Sequence, residues 1–220
     1  MASDLALYSY WRSSAAYRVR IALNLKGLAY ETRPVHLLRD GGEQHAAAYQ
    51  AVNPLELIPS LTDAGQTITQ SMAIMEYLDE TRPTPALLPT DAVGRARVRG
   101  LALILACDVH PLGNLRVLQY LESQLGADEA ARGEWSRHWI AVGFHALEAG
   151  LAGSAATGRF CHGDTPGLAD ACLVPQFYNA LRWKLPLDAY PTIRRIYEAC
   201  QPLEAFQHAA PEMQPDAPPA

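Results

Sequence analysis

The feature that most constrains the fold is a strand that runs almost directly into a helix near the start of the chain. Leu5–Tyr10 has the composition of a short strand, and from Ser14 onward apolar residues recur at helical spacing. Ser13 and Ser14 stand at the junction, where the first amide groups of a helix lack intrahelical partners. Such a corner favours an anion, because the exposed N–H groups and the positive end of the helix dipole point the same way. An ordinary N-cap accounts for the two serines equally well at this stage.

The first part of the chain alternates strand and helix signals. A second strand at Tyr30–Leu37 completes a β-α-β unit, for which parallel pairing through a right-handed crossover is expected. After a turn at Arg39–Gly42, the sequence predicts a short helix, two hairpin strands and a further helix, at Glu43–Ala51, Ser60–Asp63, Gln66–Thr69 and Ser71–Thr81. The order β-α-β-α-β-β-α assigns residues 1–82 to an α/β domain, with a proline-rich linker at residues 83–90.

Strand signals disappear after the linker, so residues 91–210 are predicted to form an all-α domain. A long helix at Asp91–Leu125 is expected to bend at His110–Gly113, and a second helix covers Glu129–Leu151. Gly167 and Asp170 have the spacing of a helix start in which the carboxylate bonds back to the first amide. The last helix is predicted at Pro191–His208, followed by an irregular tail at residues 211–220.

Composition excludes several classes of protein. The net charge of −5 argues against general nucleic-acid binding, and we expect no membrane span because no run reaches the roughly 20 apolar residues required. Met1–Asp4 lacks the start of a signal peptide, so a cytoplasmic location is expected. The four cysteines are scattered and the histidines lack paired spacing with an acid, so we expect neither a metal site nor a redox dithiol.

Several motifs in order resemble one family, the zeta class of glutathione transferases, over nearly the whole chain from Leu5 to Pro215. The motifs that carry the resemblance are Tyr8–Ser14, Arg18–Leu23, Asn53–Pro59, Gln70–Leu78, Asp108–Leu112 and Leu168–Gln176. The resemblance implies a thioredoxin-like N-terminal domain followed by a helical domain. It also implies a homodimer, glutathione as cofactor and a place in aromatic amino acid catabolism.

The implied activity is the cis–trans isomerisation of a maleyl keto acid, either maleylacetoacetate or maleylpyruvate. In the family, glutathione thiolate adds reversibly to the alkene, rotation occurs in the adduct, and elimination returns the cofactor. Ser14 is the first choice for the hydroxyl nearest the sulfur, Ser13 is next, and Arg12 lies beside them. Many members have a cysteine where this chain has Ala15, so no protein thiol can act at this corner.

The resemblance also assigns residues that hold glutathione. Pro59 matches a cis-proline that exposes the backbone of Ile58, Gln70 and Ser71 match a pair that grips the γ-glutamyl end, and Gln44 matches a position that reaches the glycyl end. Ser13 and Ser14 also belong to this glutathione-binding set. Four residues beside the predicted bend complete it: Asp108, His110, Asn114 and Arg116. Simple helix capping remains an alternative for Ser71, as does an exposed polar role for Gln44.

A substrate with two carboxylates requires cations, and the arginine fork matches a carboxylate in a bidentate way. Arg12, Arg116 and Arg182 are the candidates, although each could instead form a surface ion pair. A general glutathione transferase or dehalogenase would be expected to have fewer cations in this site. A non-catalytic interaction module would be expected to lack Pro59, Ser71 or the strand-to-helix junction at Ser13 and Ser14, which is called the serine corner below.

Overall fold

The computed structural model describes residues 5–219. Residues 1–4, which underlie the expectation of a cytoplasmic location, and residue 220 lie outside the described part. The chain divides into two compact units. The first contains the residues up to Leu87 together with those from Gln201 onward, and the second is Leu88–Cys200. Residues 201–210, predicted to belong to the helical domain, therefore lie in the first unit.

The first unit contains a four-stranded sheet. Its strands are β1 (Ala6–Ser9), β2 (Glu31–Pro34), β3 (Ser60–Asp63) and β4 (Gln66–Thr69), in the order β2-β1-β3-β4. The predicted parallel pairing of β1 with β2 is confirmed, and so is the hairpin of β3 with β4. β1 and β2 are shorter than the predicted Leu5–Tyr10 and Tyr30–Leu37, because only four residues of each form ladder pairs.

The helices of the first unit include α1 (Ser14–Leu25), α2 (Ala47–Gln50) and α3 (Ser71–Thr81). Of the apolar residues at helical spacing, Val19, Ala22 and Leu23 have no exposed surface and Ala15 is half-buried. Ile21 is buried with them. The predicted helix at Glu43–Ala51 is wrong in part. Ala46 is extended, with ψ 142°, so that a 3-10 turn at Glu43–His45 is separated from α2.

A buried ion pair ties the ends of α1 and α3 to the segment that follows them. Lys26 Nζ lies 2.9 Å from Asp79 Oδ1 and donates to the Pro85 carbonyl at 2.6 Å. The same Asp79 oxygen accepts from the Leu87 amide at 2.7 Å. These contacts explain why the first part of the predicted linker belongs to the first unit.

The second unit is helical, as predicted. Its elements are α4 (Ala92–Leu103), a π-helical segment (Ile104–Val109), a 3-10 segment (His110–Gly113), α5 (Leu115–Leu125), α6 (Glu129–Ala152), α7 (Leu168–Arg182) and α8 (Pro191–Cys200). The predicted bend is confirmed, but α-helical geometry already ends at Leu103. The predicted last helix is wrong beyond Cys200. Pro202 has no amide to donate and disfavours helical backbone at Gln201, and the next helix, α9 (Glu204–Gln207), lies in the first unit.

The π-helical segment packs against a glycine of α6. A Cβ at Gly143 would lie 2.1 Å from Val109 Cγ2, so only glycine permits this approach. Trp135, also on α6, donates from Nε1 to the Leu112 carbonyl at 2.8 Å and fixes the following turn. The predicted start of α7 is confirmed, since Asp170 Oδ2 accepts from the Gly167 amide at 2.9 Å.

The stretch Ala92–Leu125 is long and apolar enough, by length and composition, to cross a membrane. This finding departs from the expectation that no such run exists. Length and composition alone are weak evidence, and the stretch changes from α to π to 3-10 geometry and back. Only 22% of its most apolar window is buried, so the stretch carries apolar surface that the described chain leaves uncovered.

Candidate active site

Three segments of the first unit meet at one end of the sheet. Tyr8 pairs with Ser60 in antiparallel register, so the chain leaving β1 runs beside Pro59, which precedes β3. Ser60 in turn pairs with Thr69, the last residue of β4, so the start of α3 reaches the same end. The serine corner, the proline and the first turn of α3 were predicted separately, and strand register brings them together.

The serine corner has the geometry of a helix start. Ser13 is the N-cap of α1, and its Oγ accepts from the Ala16 amide at 3.2 Å. Its own amide donates to the Tyr10 carbonyl at 2.9 Å. The predicted capping role is therefore confirmed, and because the hydroxyl of Ser13 acts there as an acceptor, its hydrogen can still be donated. Ser14 is the first residue of α1 and is 7% exposed.

Arg12 precedes this corner and is half-buried. Its guanidinium carbon lies 5.4 Å from the centre of the Trp11 ring, within the range of a cation–π contact. The ring therefore contacts the guanidinium itself, and a guanidinium in such a contact keeps its planar fork of N–H donors for a carboxylate.

The start of α3 is held in an unusual backbone conformation. Gln70, its N-cap, has φ +70°, a value that costs a non-glycine residue of the order of 1–3 kcal/mol and occurs often at functional sites. Ser71 is 7% exposed, and its Oγ accepts from Arg18 at 3.2 Å. In the sequence, Arg18 was notable only as the first residue of the motif Arg18–Leu23. The structure places it 2% exposed behind Ser71.

The loop before β3 presents backbone groups. The Ile58–Pro59 peptide is cis, as the resemblance implied. Within residues 5–219, neither the N–H nor the C=O of Ile58 bonds to another backbone group. The preceding Leu57 carbonyl accepts from Tyr49 Oη and Asn53 Nδ2, both at 2.7 Å, so the loop is fixed from behind. Burial raises the pKa of Tyr49, which keeps its hydroxyl protonated as the donor.

Gln44 is buried, which contradicts the alternative of an exposed polar residue. It is 6% exposed, and its Nε2 lies 3.0 Å from His45 Nε2. Its Oε1 is buried and has no hydrogen-bond partner among residues 5–219. The Gln44 side chain lies over Gly42, which has a φ of +110°. A Cβ added to Gly42 would lie 2.5 Å from Gln44 Nε2, so glycine leaves room for this side chain. A buried amide oxygen without a partner is a candidate acceptor for a ligand donor.

A polar cluster that no sequence signal indicated lies beside Gln44. His45 Nδ1 lies 2.5 Å from Glu56 Oε2, and Gln50 donates to Glu56 Oε1 at 2.6 Å. The hydrogen bond with His45 lowers the pKa of Glu56, so the carboxylate is ionised. Glu56 also has a positive φ of 57°. This backbone signal cannot be read from its residue type.

The other predicted site residues lie in the second unit. Asp108 is exposed at the end of the π-helical segment, and His110 follows it, half-buried. Asn114 caps α5 by accepting from the Arg116 amide at 3.1 Å, and the Arg116 side chain is exposed. Arg182 is exposed at the end of α7, and its guanidinium carbon lies 4.7 Å from the centre of the Trp183 ring.

A small cavity lies beside His110 within the second unit. Trp139 and Gln176 border it, and among residues 5–219 Trp139 Nε1 and Gln176 Oε1 are buried without hydrogen-bond partners. No sequence signal indicated this pair. Within the same part of the chain, no group of three or more His, Cys, Asp or Glu side chains is placed to hold a metal ion.

Comparison with known proteins agrees with this architecture. The family model for the N-terminal domain of glutathione S-transferase matches residues 12–81. A protein of Vibrio cholerae named "Probable maleylacetoacetate isomerase" is 54% identical, covering 97% of this chain and 99% of that protein. A holo structure of maleyl pyruvate isomerase, described as a bacterial glutathione-s-transferase in the zeta class, has a TM-score of 0.94 and 51% identity, covering 97% of this chain and 100% of the other.

A third relative carries a ligand. The crystal structure of maleylacetoacetate isomerase from Anaeromyxobacter dehalogenans with glutathione bound in the active site has a TM-score of 0.86 and 51% identity, covering 99% of this chain and 100% of that one. Fold and family model together define the class as a glutathione transferase. Sequence identities of 54% and 51% over 97% of the chain narrow the assignment within that class. The chain belongs to the zeta-class family of maleylacetoacetate and maleylpyruvate isomerases.

Proposed function

We propose that this chain is a glutathione-dependent cis–trans isomerase that converts maleylacetoacetate to fumarylacetoacetate. The observation that carries the proposal is the meeting of the serine corner, the cis-proline and the start of α3 at one end of the sheet. Relatives of about half identical sequence bear the names maleylacetoacetate isomerase and maleylpyruvate isomerase. A role in aromatic amino acid catabolism and a cytoplasmic location accompany this assignment.

The residues present fit glutathione. Among residues 5–219, buried Gln44 Oε1 lacks a hydrogen-bond partner and the Ile58 N–H and C=O bond to no other backbone group, while Ser71 stands at a helix start in front of buried Arg18. In this proposal Gln44 faces the glycyl end, Ile58 pairs with the cysteinyl backbone, and the γ-glutamyl carboxylate lies at Gln70 and Ser71. A carboxylate at that helix start would gain from the N–H groups and from the charge of Arg18.

Bound glutathione would supply the thiolate that adds reversibly to the alkene and so allows the bond to rotate. Ser14 and Ser13 would donate hydroxyl hydrogens toward the sulfur, and the first amides of α1 would add their dipole. Lowering a thiol pKa by two units requires about 2.7 kcal/mol of preferential stabilisation of the thiolate. Two hydroxyl donors and a helix start are of the right order for that task.

The two carboxylates of the substrate are assigned to arginines. Arg12 and Arg182 each lie over an aromatic ring, which orients the planar fork, and Arg116 is exposed at the start of α5. Asp108, His110 and Asn114 complete the proposed set as supporting contacts to bound glutathione. No net proton transfer to substrate is required, so His110 is assigned a binding role and no general-base role.

Replacing Arg182 by Ala tests this assignment. We expect KM for the keto acid to rise by about tenfold or more, the effect of losing a charged hydrogen-bond donor, while the Kd for glutathione stays unchanged. Arg194→Ala is the matched control, since Arg194 is an exposed arginine of the same unit that pairs with Asp188. Equal losses of substrate use and glutathione binding would contradict the role of Arg182.

Three other functions remain as alternatives. A maleylpyruvate isomerase differs only in the length of the keto-acid arm, and the relative with a TM-score of 0.94 favours it. A general transferase or dehalogenase, or a non-catalytic module, would leave the arginines unexplained. An ultraviolet assay of both keto acids with and without glutathione separates these cases. Absence of glutathione-dependent turnover of either acid would refute the proposed function.

We also propose that the protein is a homodimer. Leu103, Tyr120 and Leu125 on the stretch Ala92–Leu125 are 40%, 61% and 67% exposed. Exposed apolar residues concentrated on one stretch are typical of an interface. Light scattering should give the mass of two chains, and the mass of one chain would contradict the proposal.

A further inference from the structure

The chain after α8 is built into the first unit. Here the C-terminal segment denotes Leu203–Asp216, which contains α9 and a 3-10 turn at Pro211–Met213. Phe206 and Ala209 are 1% and 0% exposed, so the apolar side chains of this segment are buried within the first unit. Gln214 Nε2 donates to the His208 and Ala210 carbonyls, both at 2.9 Å, and closes the segment on itself. Part of the tail predicted to be irregular therefore forms a 3-10 turn, at Pro211–Met213, and Gln214 bonds back to the segment before it.

A single buried arginine joins this segment to the chain that leaves β1. Arg20 has no exposed surface. Its Nε donates to the Ala209 carbonyl at 2.9 Å, while its other nitrogens donate to Ser9 Oγ at 3.1 Å and to the Trp11 carbonyl at 3.0 Å. Burial lowers the pKa of Arg20 to about 10, which leaves it charged at neutral pH. The groups that oppose this shift are Tyr30, Tyr17, Asp216 and Glu212.

Both backbone polar groups of Trp11 are hydrogen-bonded to side chains. Its amide donates to Asp216 Oδ2 at 2.9 Å, and its carbonyl accepts from Arg20 at 3.0 Å. The next residue is Arg12, whose guanidinium is stacked near the Trp11 ring. The peptide groups flanking Trp11 thus have fixed orientations, and these orientations determine where the Arg12 side chain begins.

We propose that Asp216 is a positioning residue for the active site: with Arg20 it fixes the backbone of Trp11 and so sets the direction in which Arg12 presents its guanidinium to a substrate carboxylate. The inference rests on the proposed function, because Arg12 is a substrate contact only there. Loss of a single positioning contact is enough to misplace a reacting group, and a shift of about 1 Å can reduce catalysis by two orders of magnitude.

The position of Asp216 makes this role specific. Its carboxylate accepts from the backbone amide of Trp11, the residue before Arg12, and Trp11 is not assigned to glutathione. A purely structural role would lower the stability of the unit and the affinity for glutathione together. A positioning role would act on keto-acid use alone.

The test uses the full-length protein with Asp216→Ala, Asp216→Asn and, as control, Glu204→Gln. Asn keeps an oxygen acceptor for the Trp11 amide and Ala removes it, whereas Glu204 is an exposed acid of the same segment. Three quantities are measured: amide hydrogen exchange at Trp11 by NMR, kcat/KM for the keto acid, and the Kd for glutathione. Asp216→Ala is expected to speed exchange at Trp11 and lower kcat/KM, each by about tenfold, with an unchanged Kd. Asp216→Asn should restore most of both.

Two results would overturn the proposal. Unchanged exchange at Trp11 in Asp216→Ala would show that the segment does not hold this turn. Faster exchange with kcat/KM equal to that of Glu204→Gln would show that the turn does not serve the substrate. Absence of turnover in the unaltered protein would refute the proposed function and with it the substrate role, whereas the exchange data would still decide whether Asp216 holds Trp11.

Discussion

Replacing Arg18 by Met removes a buried cation from behind the proposed carboxylate site at the start of α3. Arg18 is 2% exposed, and one of its nitrogens donates to Ser71 Oγ at 3.2 Å. Met has a similar length and is apolar, so the substitution keeps the packing of the stem while removing the charge and the donor. The hydroxyl of Ser71 would then lose the contact that orients it.

The expected magnitude follows from the burial of this pair. A hydrogen bond that involves a charged group contributes about 1.5–3 kcal/mol, and solvent screening is small at a side chain with 2% exposure. At about 1.4 kcal/mol per factor of ten, the Kd for glutathione should rise by about 10- to 100-fold. The keto-acid KM at saturating glutathione should change much less, because Arg18 is not assigned to the substrate.

Calorimetric titration with glutathione measures this effect, and thermal unfolding checks that the variant is folded. Arg33→Gln is the matched control, because Arg33 is an exposed arginine of the same unit that pairs with Glu31. Its Kd should equal that of the unaltered protein. A folded Arg18→Met that binds glutathione as tightly as this control would refute the reasoning.

Two further predictions concern stability. Ser13→Ala removes the acceptor for the Ala16 amide and should lower the free energy of unfolding by about 1 kcal/mol, as measured by urea denaturation; no change would mean that the cap contributes nothing. Gly143→Ala places a Cβ 2.1 Å from Val109 Cγ2, and this overpacking should lower the free energy of unfolding by about 1–3 kcal/mol. The control Gly100→Ala has open space around the added atom and should not lower it. Equal unfolding midpoints for the two variants would contradict the close packing.

Locally encoded elements were predictable from the sequence. β3, β4 and α3 have the predicted ends because an Ala-Gly turn and a following Arg-Pro pair mark them within a few residues. The start of α7 was likewise predicted, since Gly167 and Asp170 lie on one turn. Such signals act between near neighbours, so a single sequence contains them in full.

The parts that depend on distant contacts were not predictable. The π-helical segment before His110 packs on Gly143, which lies on another helix. Residues 211–220 were expected to form an irregular tail because of their many prolines, yet Asp216 binds Trp11 across 205 residues of chain. No local pattern contains information about such pairs.

The candidate site shows the same division. The motifs around Ser13, Pro59 and Ser71 were predictable from their resemblance to a family, and strand register explains why they meet. The burial of Gln44 and the approach of Arg18 to Ser71 required coordinates, because a polar residue type on its own predicts exposure.

The most direct test of the central claim is whether glutathione is returned after each turnover. Purified protein is incubated with maleylacetoacetate, or with maleylpyruvate, and glutathione at about one-twentieth of the substrate, and proton NMR follows substrate, product and cofactor. An isomerase that restores its cofactor predicts complete conversion to the trans acid with the glutathione unchanged. Conversion that stops once the glutathione is consumed, with a stable conjugate in its place, would contradict the account.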